Sequence, residues 1–241
     1  MHNLGQTRSS RKADHLLQTP DTFVRTPLPG MERATAIVHA SPAIGAQFTQ
    51  YTAEMEAGGN LGPARTQRFL YVLEGVIEIL DRTELNAGAY AYIPEGHVAA
   101  VKARSQSRVA VIEKPYEDLE NTAAPNFFTS HEKDAASQFL GGDPALEVRM
   151  LIPSGLEYDF AVNTMTYQPG ASLSMVEIHV MEHGLLMLDG EGIYRLGDSW
   201  YPVAAGDFIW MAPYCPQWFG ALGKKPARYL IYKDWNRHPL L

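Results

Sequence analysis

A single cysteine, Cys215, stands in the 241 residues. No intramolecular disulfide can form, and a cysteine-rich zinc site is excluded. Nor does any stretch approach the roughly 20 apolar residues of a membrane-spanning helix, and the N-terminal residues lack an apolar signal core. The expectation is a cytoplasmic chain without a membrane partner. Positive charge is short too: 20 Lys and Arg face 27 Asp and Glu, and the net charge of −7 leaves no electrostatic footprint for nucleic acid. Arg8, Arg11 and Lys12 form only a small cluster. With 46% hydrophobic and 20% charged residues, what remains is an ordinary globular composition, enough for one large domain or two small ones. A small molecule is the expected partner.

The chain repeats itself at long period. Arg68-Phe-Leu-Tyr-Val-Leu-Glu-Gly75 echoes His183-Gly-Leu-Leu-Met-Leu-Asp-Gly190, each an apolar run closed by an acid and a glycine. Ala87–Pro94 likewise echoes Ala205–Pro213, and Val109–Lys114 echoes Arg228–Lys233. Short β-rich runs punctuated by Gly, Pro or Asp predict antiparallel strands joined by turns, hence an all-β sandwich or barrel in each copy. The expected boundaries are a surface arm over residues 1–30, a first barrel over 31–116, a linker over 117–145 with a short helix around Glu132 to Phe139, and a second barrel over 146–241.

The chemistry concentrates in Glu177-Ile-His179-Val-Met-Glu-His183, set between Gly170 and Gly190 and answered later by Gln217. Val176, Ile178 and Val180 are β-branched and alternate with polar residues, which favours a strand over a helix. An extended run without a bulge would put Glu177, His179 and His183 on one face. Two imidazoles, a carboxylate and an amide suit one divalent ion, although paired histidines are also often structural. The first copy offers only Gly62, Ala64 and Arg68 at the matching positions, with His97 near the place of Gln217, so it is read as lacking a metal site. Cys215 is read as a small packed residue rather than a nucleophile. Arg195, Trp200, Trp210, Trp218 and Phe219 are expected to be packing or rim residues.

The pattern of glycine, paired metal ligands, second glycine and a later Gly-Pro strand resembles the cupin superfamily, with Glu177 in place of the usual first histidine, His183 in place of the acid and Gln217 in place of the last histidine. This permuted set resembles the (S)-ureidoglycine aminohydrolase family of bicupins. The stretches Gly192–Pro202, Ala205–Pro213 and Tyr229–Arg237 are similar to that family as well, and the likeness runs over nearly the whole chain. It implies two tandem double-stranded β-helix (jelly-roll) barrels and a homo-oligomer, possible up to an octamer. It also implies Mn²⁺ held by Glu177, His179, His183 and Gln217, with Tyr194, Tyr229, Gln217 and Lys233 facing the substrate and Lys233 and Glu177 acting in catalysis. The implied reaction converts (S)-ureidoglycine and water to (S)-ureidoglycolate and ammonia in allantoin breakdown. Trp235 is a mild departure from the family pattern. The ligand set by itself equally suits a metal-dependent cupin dioxygenase or isomerase, or a bicupin that binds a small molecule without turnover.

Overall fold

The computed structural model describes residues 5–79, 83–234 and 237. Among these residues the elements are antiparallel strands and single-turn 3-10 helices, with no α-helix. No helix is long and apolar enough to cross a membrane. The chain divides into two compact units.

The first unit comprises Val24–Ala135 with Ser154–Asp159. Its principal strands, Glu32–Ala40, Thr49–Asn60, Gln67–Glu74, Ala89–Ile93 and Ser107–Lys114, belong to one curled sheet. Two-residue alternation makes them strands: Leu70 with Val72, Ile77 with Ile79, and Val109 with Val111 share a face and meet in one apolar cluster. Each such fully buried side chain contributes roughly 1.5–3 kcal/mol.

The second unit comprises the residues up to Phe23, Ala136–Pro153 and the residues from Phe160 onward. Strands His183–Asp189, Phe208–Met211, Ala227–Lys233 and Ala161–Tyr167 lie in its larger sheet, and Glu177–Ile178, Pro216–Leu222, Glu191–Leu196 and Ser199–Ala204 form a smaller one. Leu185, Met187, Tyr194, Leu196, Ile209, Phe219, Tyr229 and Ile231 gather in a single core. Following each inward-facing row to the end of its strand reaches a polar residue: His183 before Leu185, Lys233 after Ile231, Gln217 before Phe219. Strand periodicity alone therefore puts a polar cluster at one end of the apolar interior.

The repeat seen in the sequence has a matching backbone. Gly75 and Gly190, which close the echoed strands, have φ of 82° and 73°. A Cβ would stand 2.3 Å from the Gln106 carbonyl oxygen at Gly75 and 2.5 Å from that of Pro226 at Gly190. Next to each, the strand pairing slips register, between Arg108 and Val109 in the first unit and between Met187 and Asp189 in the second.

Three boundary expectations are corrected. Residues 1–30 are not a surface arm: Ser10–Arg11 and His15–Gln18 form a hairpin paired to Phe208–Met211, and Leu17 is fully buried. The strand Phe208–Met211 would otherwise present an open edge, and the alternation of His15 and Leu17 with Leu16 and Gln18 suits one buried face. The expected linker instead carries the strand Phe128–His131, paired to Ala89–Ile93 in the first unit, and Ser137–Phe139, paired to Leu146–Met150 in the second. The helix expected from Glu132 to Phe139 is one 3-10 turn, Glu132–Asp134. Glu132 is drawn inward, its buried carboxylate accepting a hydrogen bond from the Tyr71 hydroxyl, while the residues after Ala136 are committed to sheet pairing.

Gly190→Ala is expected to destabilise the protein by roughly 2 kcal/mol or more, because a left-handed backbone and a carbonyl clash coincide there. Urea unfolding reads this directly; an unchanged midpoint would refute the matched-turn account.

Candidate metal centre

His183 opens the strand His183–Asp189, where it lies opposite Lys233 on one side and Met211 on the other. Gln217 lies on Pro216–Leu222, opposite Glu177 across the short strand Glu177–Ile178 and opposite Leu196 on its other side. Glu177, His179 and His183 do not share one continuous strand. The chain leaves the sheet after Ile178, and the His179 carbonyl accepts from the Tyr214 amide at 2.6 Å. This loop, not strand alternation, turns His179 toward His183.

Three of the expected ligands converge. His179 Nδ1 lies 2.8 Å from His183 Nε2 and 3.1 Å from Gln217 Nε2. On the opposite edge of the same ring, His179 Nε2 lies 3.1 Å from Glu177 Oε2. The Gln217 amide nitrogen can only donate, so His179 Nδ1 accepts from it and from His183 Nε2–H, and His179 Nε2 carries the ring proton on the edge that faces the Glu177 carboxylate. His183 Nδ1 is then left buried without a partner. Glu177 stands one imidazole away from the point where the other three meet.

The residues fit a divalent ion. Ligand bonds of about 2.1 Å place neighbouring donor atoms on one ion roughly 3 Å apart, the spacing of His179 Nδ1 and His183 Nε2, while Gln217 would join through Oε1, which here accepts from Tyr194. Burial, followed by the neighbouring His179 and Lys233, pushes His183 down from 6.5 to about 3. Its imidazole is neutral at physiological pH, which is the form that binds metals.

The polar residues around the cluster hold and orient it. Tyr194 is buried and its hydroxyl donates to Gln217 Oε1 at 3.2 Å, so it sets the amide's orientation. Tyr229 shares a 2.9 Å hydrogen bond with Tyr167 and donates to Met165 Sδ at 3.2 Å. Burial holds both Tyr194 and Tyr229 well above the usual phenol range, so they serve as neutral hydrogen-bonding groups. Half-buried Lys233 lies against Asn163, whose amide, oriented by its partners, accepts from Nζ at 3.2 Å and donates to the Val162 carbonyl at 3.0 Å. Burial lowers the Lys233 pKa, with Glu177 pulling the other way.

Asn163 and Tyr167 are the contributors that sequence reasoning missed. Alternation along Ala161–Tyr167 carries the signal, since Asn163, Met165 and Tyr167 fall opposite Ile231, Tyr229 and Ala227. Cys215 is buried in the core, and burial raises its thiol to about 11, which removes it as a free nucleophile at neutral pH. Trp218 donates to the Leu173 carbonyl and Arg195 lies 5.8 Å over the Trp200 ring, in keeping with packing and rim roles. Trp235 lies outside the described residues.

The first unit meets the same inward polar positions with protein charges. Arg68, the echo of His183, is buried, forms a 2.6 Å ion pair with Glu113 and donates to the Gly62 carbonyl at 2.8 Å. Tyr51 also donates to Glu113, at 3.0 Å. His97 stacks on Phe127 with ring centroids 5.6 Å apart. A guanidinium thus sits at the position where the second unit gathers its imidazoles.

Cupin-domain models match the chain twice, an EutQ-like cupin domain over residues 43–116 and a cupin domain over residues 163–232, so the protein is a bicupin. A solved oxalate decarboxylase of Bacillus subtilis, whose Mn(II) centres are the subject of that structure, shares the fold at 10% identity. Its TM-score is 0.71, over 97% of this chain and 80% of that one. A solved glyoxylate-induced protein of Pseudomonas aeruginosa is 30% identical with a TM-score of 0.88, covering 98% of this chain and 93% of that one. The (S)-ureidoglycine aminohydrolase of Arabidopsis thaliana is 40% identical over 98% of this chain and 80% of its own length. The chain belongs to the (S)-ureidoglycine aminohydrolase family.

The buried neutral histidines carry a pH signature. His183 and His39, the latter hydrogen-bonded to Thr52 at 2.8 Å, are both lowered from 6.5 to about 3 in the folded state. Their stabilisation is fully present above 6.5, the unfolded value, and is lost progressively as pH falls from there toward the folded value. The urea midpoint of metal-free protein should therefore fall between pH about 7 and about 5, above the range of most carboxylates. His183→Gln should flatten that slope, and an equally steep slope in the variant would contradict the assignment.

Proposed function

We propose that this chain catalyses the hydrolytic release of ammonia from (S)-ureidoglycine, giving (S)-ureidoglycolate, and that the ion it uses is manganese. The observation that carries the reading is the convergence of His179, His183 and Gln217, with Glu177 on the same imidazole, in a chain 40% identical to an (S)-ureidoglycine aminohydrolase. Glu177, His179, His183 and Gln217 are the proposed ligands. Two nitrogens and two oxygens without sulfur suit Mn²⁺, Fe²⁺ or Zn²⁺ alike, so the choice of manganese rests on the family resemblance rather than on the ligands. Bound there, the ion supplies a template and a Lewis acid.

The residues of the chain divide the remaining work. The substrate carbon loses its C–N bond to the amine and gains a C–O bond from water. Lys233 neutralises the substrate carboxylate, and its lowered pKa also suits it to pass a proton to the departing nitrogen. Glu177 is the carboxylate beside the cluster available to take a proton from water. Tyr194 and Tyr229 orient the ureido group as neutral phenols, with Gln217 held in register by Tyr194. The single reduced thiol agrees with a cytosolic setting. Allantoin breakdown is the route in which this substrate arises, and a homo-oligomer is part of the same reading.

The test is ammonia release from freshly generated (S)-ureidoglycine by metal-stripped protein, with and without Mn²⁺, with the product's configuration followed. Manganese-dependent formation of the (S) product is expected, and Lys233→Met should lower kcat/KM by about 100-fold or more. No acceleration over spontaneous breakdown, with metal shown to be bound, would overturn the reading. Oxygen consumption with Fe²⁺ would favour dioxygenase chemistry instead.

A further inference from the structure

A second group of metal-binding side chains lies outside this centre, where the N-terminal hairpin meets the segment leading to Gln217. The ligand atoms of Asp14, His15 and Cys215 all lie within 4.8 Å of one another. We propose that these three residues form a second metal site, selective for zinc, that clips the N-terminal hairpin to the Ala212–Gln217 segment.

The backbone already holds the three donors in place. His15 is paired with Met211 in the sheet, the Asp14 carbonyl accepts from the Ala212 amide at 2.9 Å, and Cys215 closes a turn through its amide to the Ala212 carbonyl at 3.1 Å. The Lys12 amide donates to the His15 carbonyl at 2.8 Å and closes the hairpin. Little chain ordering is left for an ion to impose, which is what a tight site requires.

The donor set also has a chemical preference. His15 Nδ1 is 2.8 Å from Asp14 Oδ1, and His15 Nε2 is 2.9 Å from the Tyr201 hydroxyl. Thiolate, imidazole and carboxylate together suit zinc, whose tetrahedral ligands lie roughly 3.4–3.7 Å apart, so the group needs about 1 Å of closure. His15 and Cys215 are buried, whereas the Asp14 side chain is 45% exposed and gives an ion its way in and a water its place as fourth ligand. Room exists because residue 197 is glycine: a Cβ there would lie 3.2 Å from Asp14 Oδ2 and 3.8 Å from His15 Cε1. On binding, the thiol proton passes to water and sulfur joins the ion as thiolate. The sulfur-free set at Glu177, His179, His183 and Gln217 has no such bias, so softness sorts two different ions into two sites.

Cobalt reads the proposal without depending on turnover. Metal-stripped full-length protein titrated with Co²⁺ should develop a near-ultraviolet thiolate-to-cobalt charge-transfer band that saturates at one equivalent of thiolate-bound metal per chain. The band should persist in His179→Ala/His183→Ala, vanish in Cys215→Ser, and be displaced by Zn²⁺ but not by Mn²⁺. A wild-type protein that binds cobalt without the band overturns the proposal, whether or not any variant folds. A band lost in the double histidine variant, or displaced equally by Mn²⁺, also overturns it.

Discussion

An imidazole facing the interior of a β-barrel must find partners there, because a buried polar group without them costs about 1–3 kcal/mol. The second unit places His183 at such a position, and the surrounding structure is arranged around it. His179 comes in from a loop, Gln217 from the neighbouring sheet, and Tyr194 fixes the amide of Gln217 in turn. Even so, one nitrogen of His183 remains without a partner. The nitrogens that face each other, His179 Nδ1 and His183 Nε2, are the pair a cation would take.

The two units show alternative answers to one constraint. In the first, Arg68 brings its own positive charge and Glu113 neutralises it, with Tyr51 and the Gly62 carbonyl completing the hydrogen bonds. In the second, two histidines, His183 held neutral by burial, and an amide gather without a cationic side chain of their own at that position. Removing Glu113 would leave the buried Arg68 charge without its partner. The duplicated backbone, down to the glycine turns at Gly75 and Gly190, is thus separable from the chemistry it carries.

Much of this was legible in the residue order. The echoed glycines marked the repeat, and residue type together with the family resemblance singled out Glu177, His179, His183 and Gln217. Two things escaped for physical reasons. The hairpin from Ser10 to Gln18 has a short, polar sequence whose strand character comes from the edge of Phe208–Met211, a long-range pairing that no local pattern announces. His179 reaches its place beside His183 through a loop held by the Tyr214 amide, which strand parity does not describe. The position of Glu177, one imidazole away from His183 and Gln217, follows from the same departure from the sheet.

The most direct test of the account is metal retention after purification and dialysis, compared between the native protein and single alanine variants in the two barrels. The account predicts that bound manganese, assayed separately from zinc, is lost in both His179→Ala and His183→Ala, with His97→Ala retaining it at the native level. Equal losses in all three variants, or retention in both second-barrel variants, would contradict the claim that the second barrel alone carries this centre.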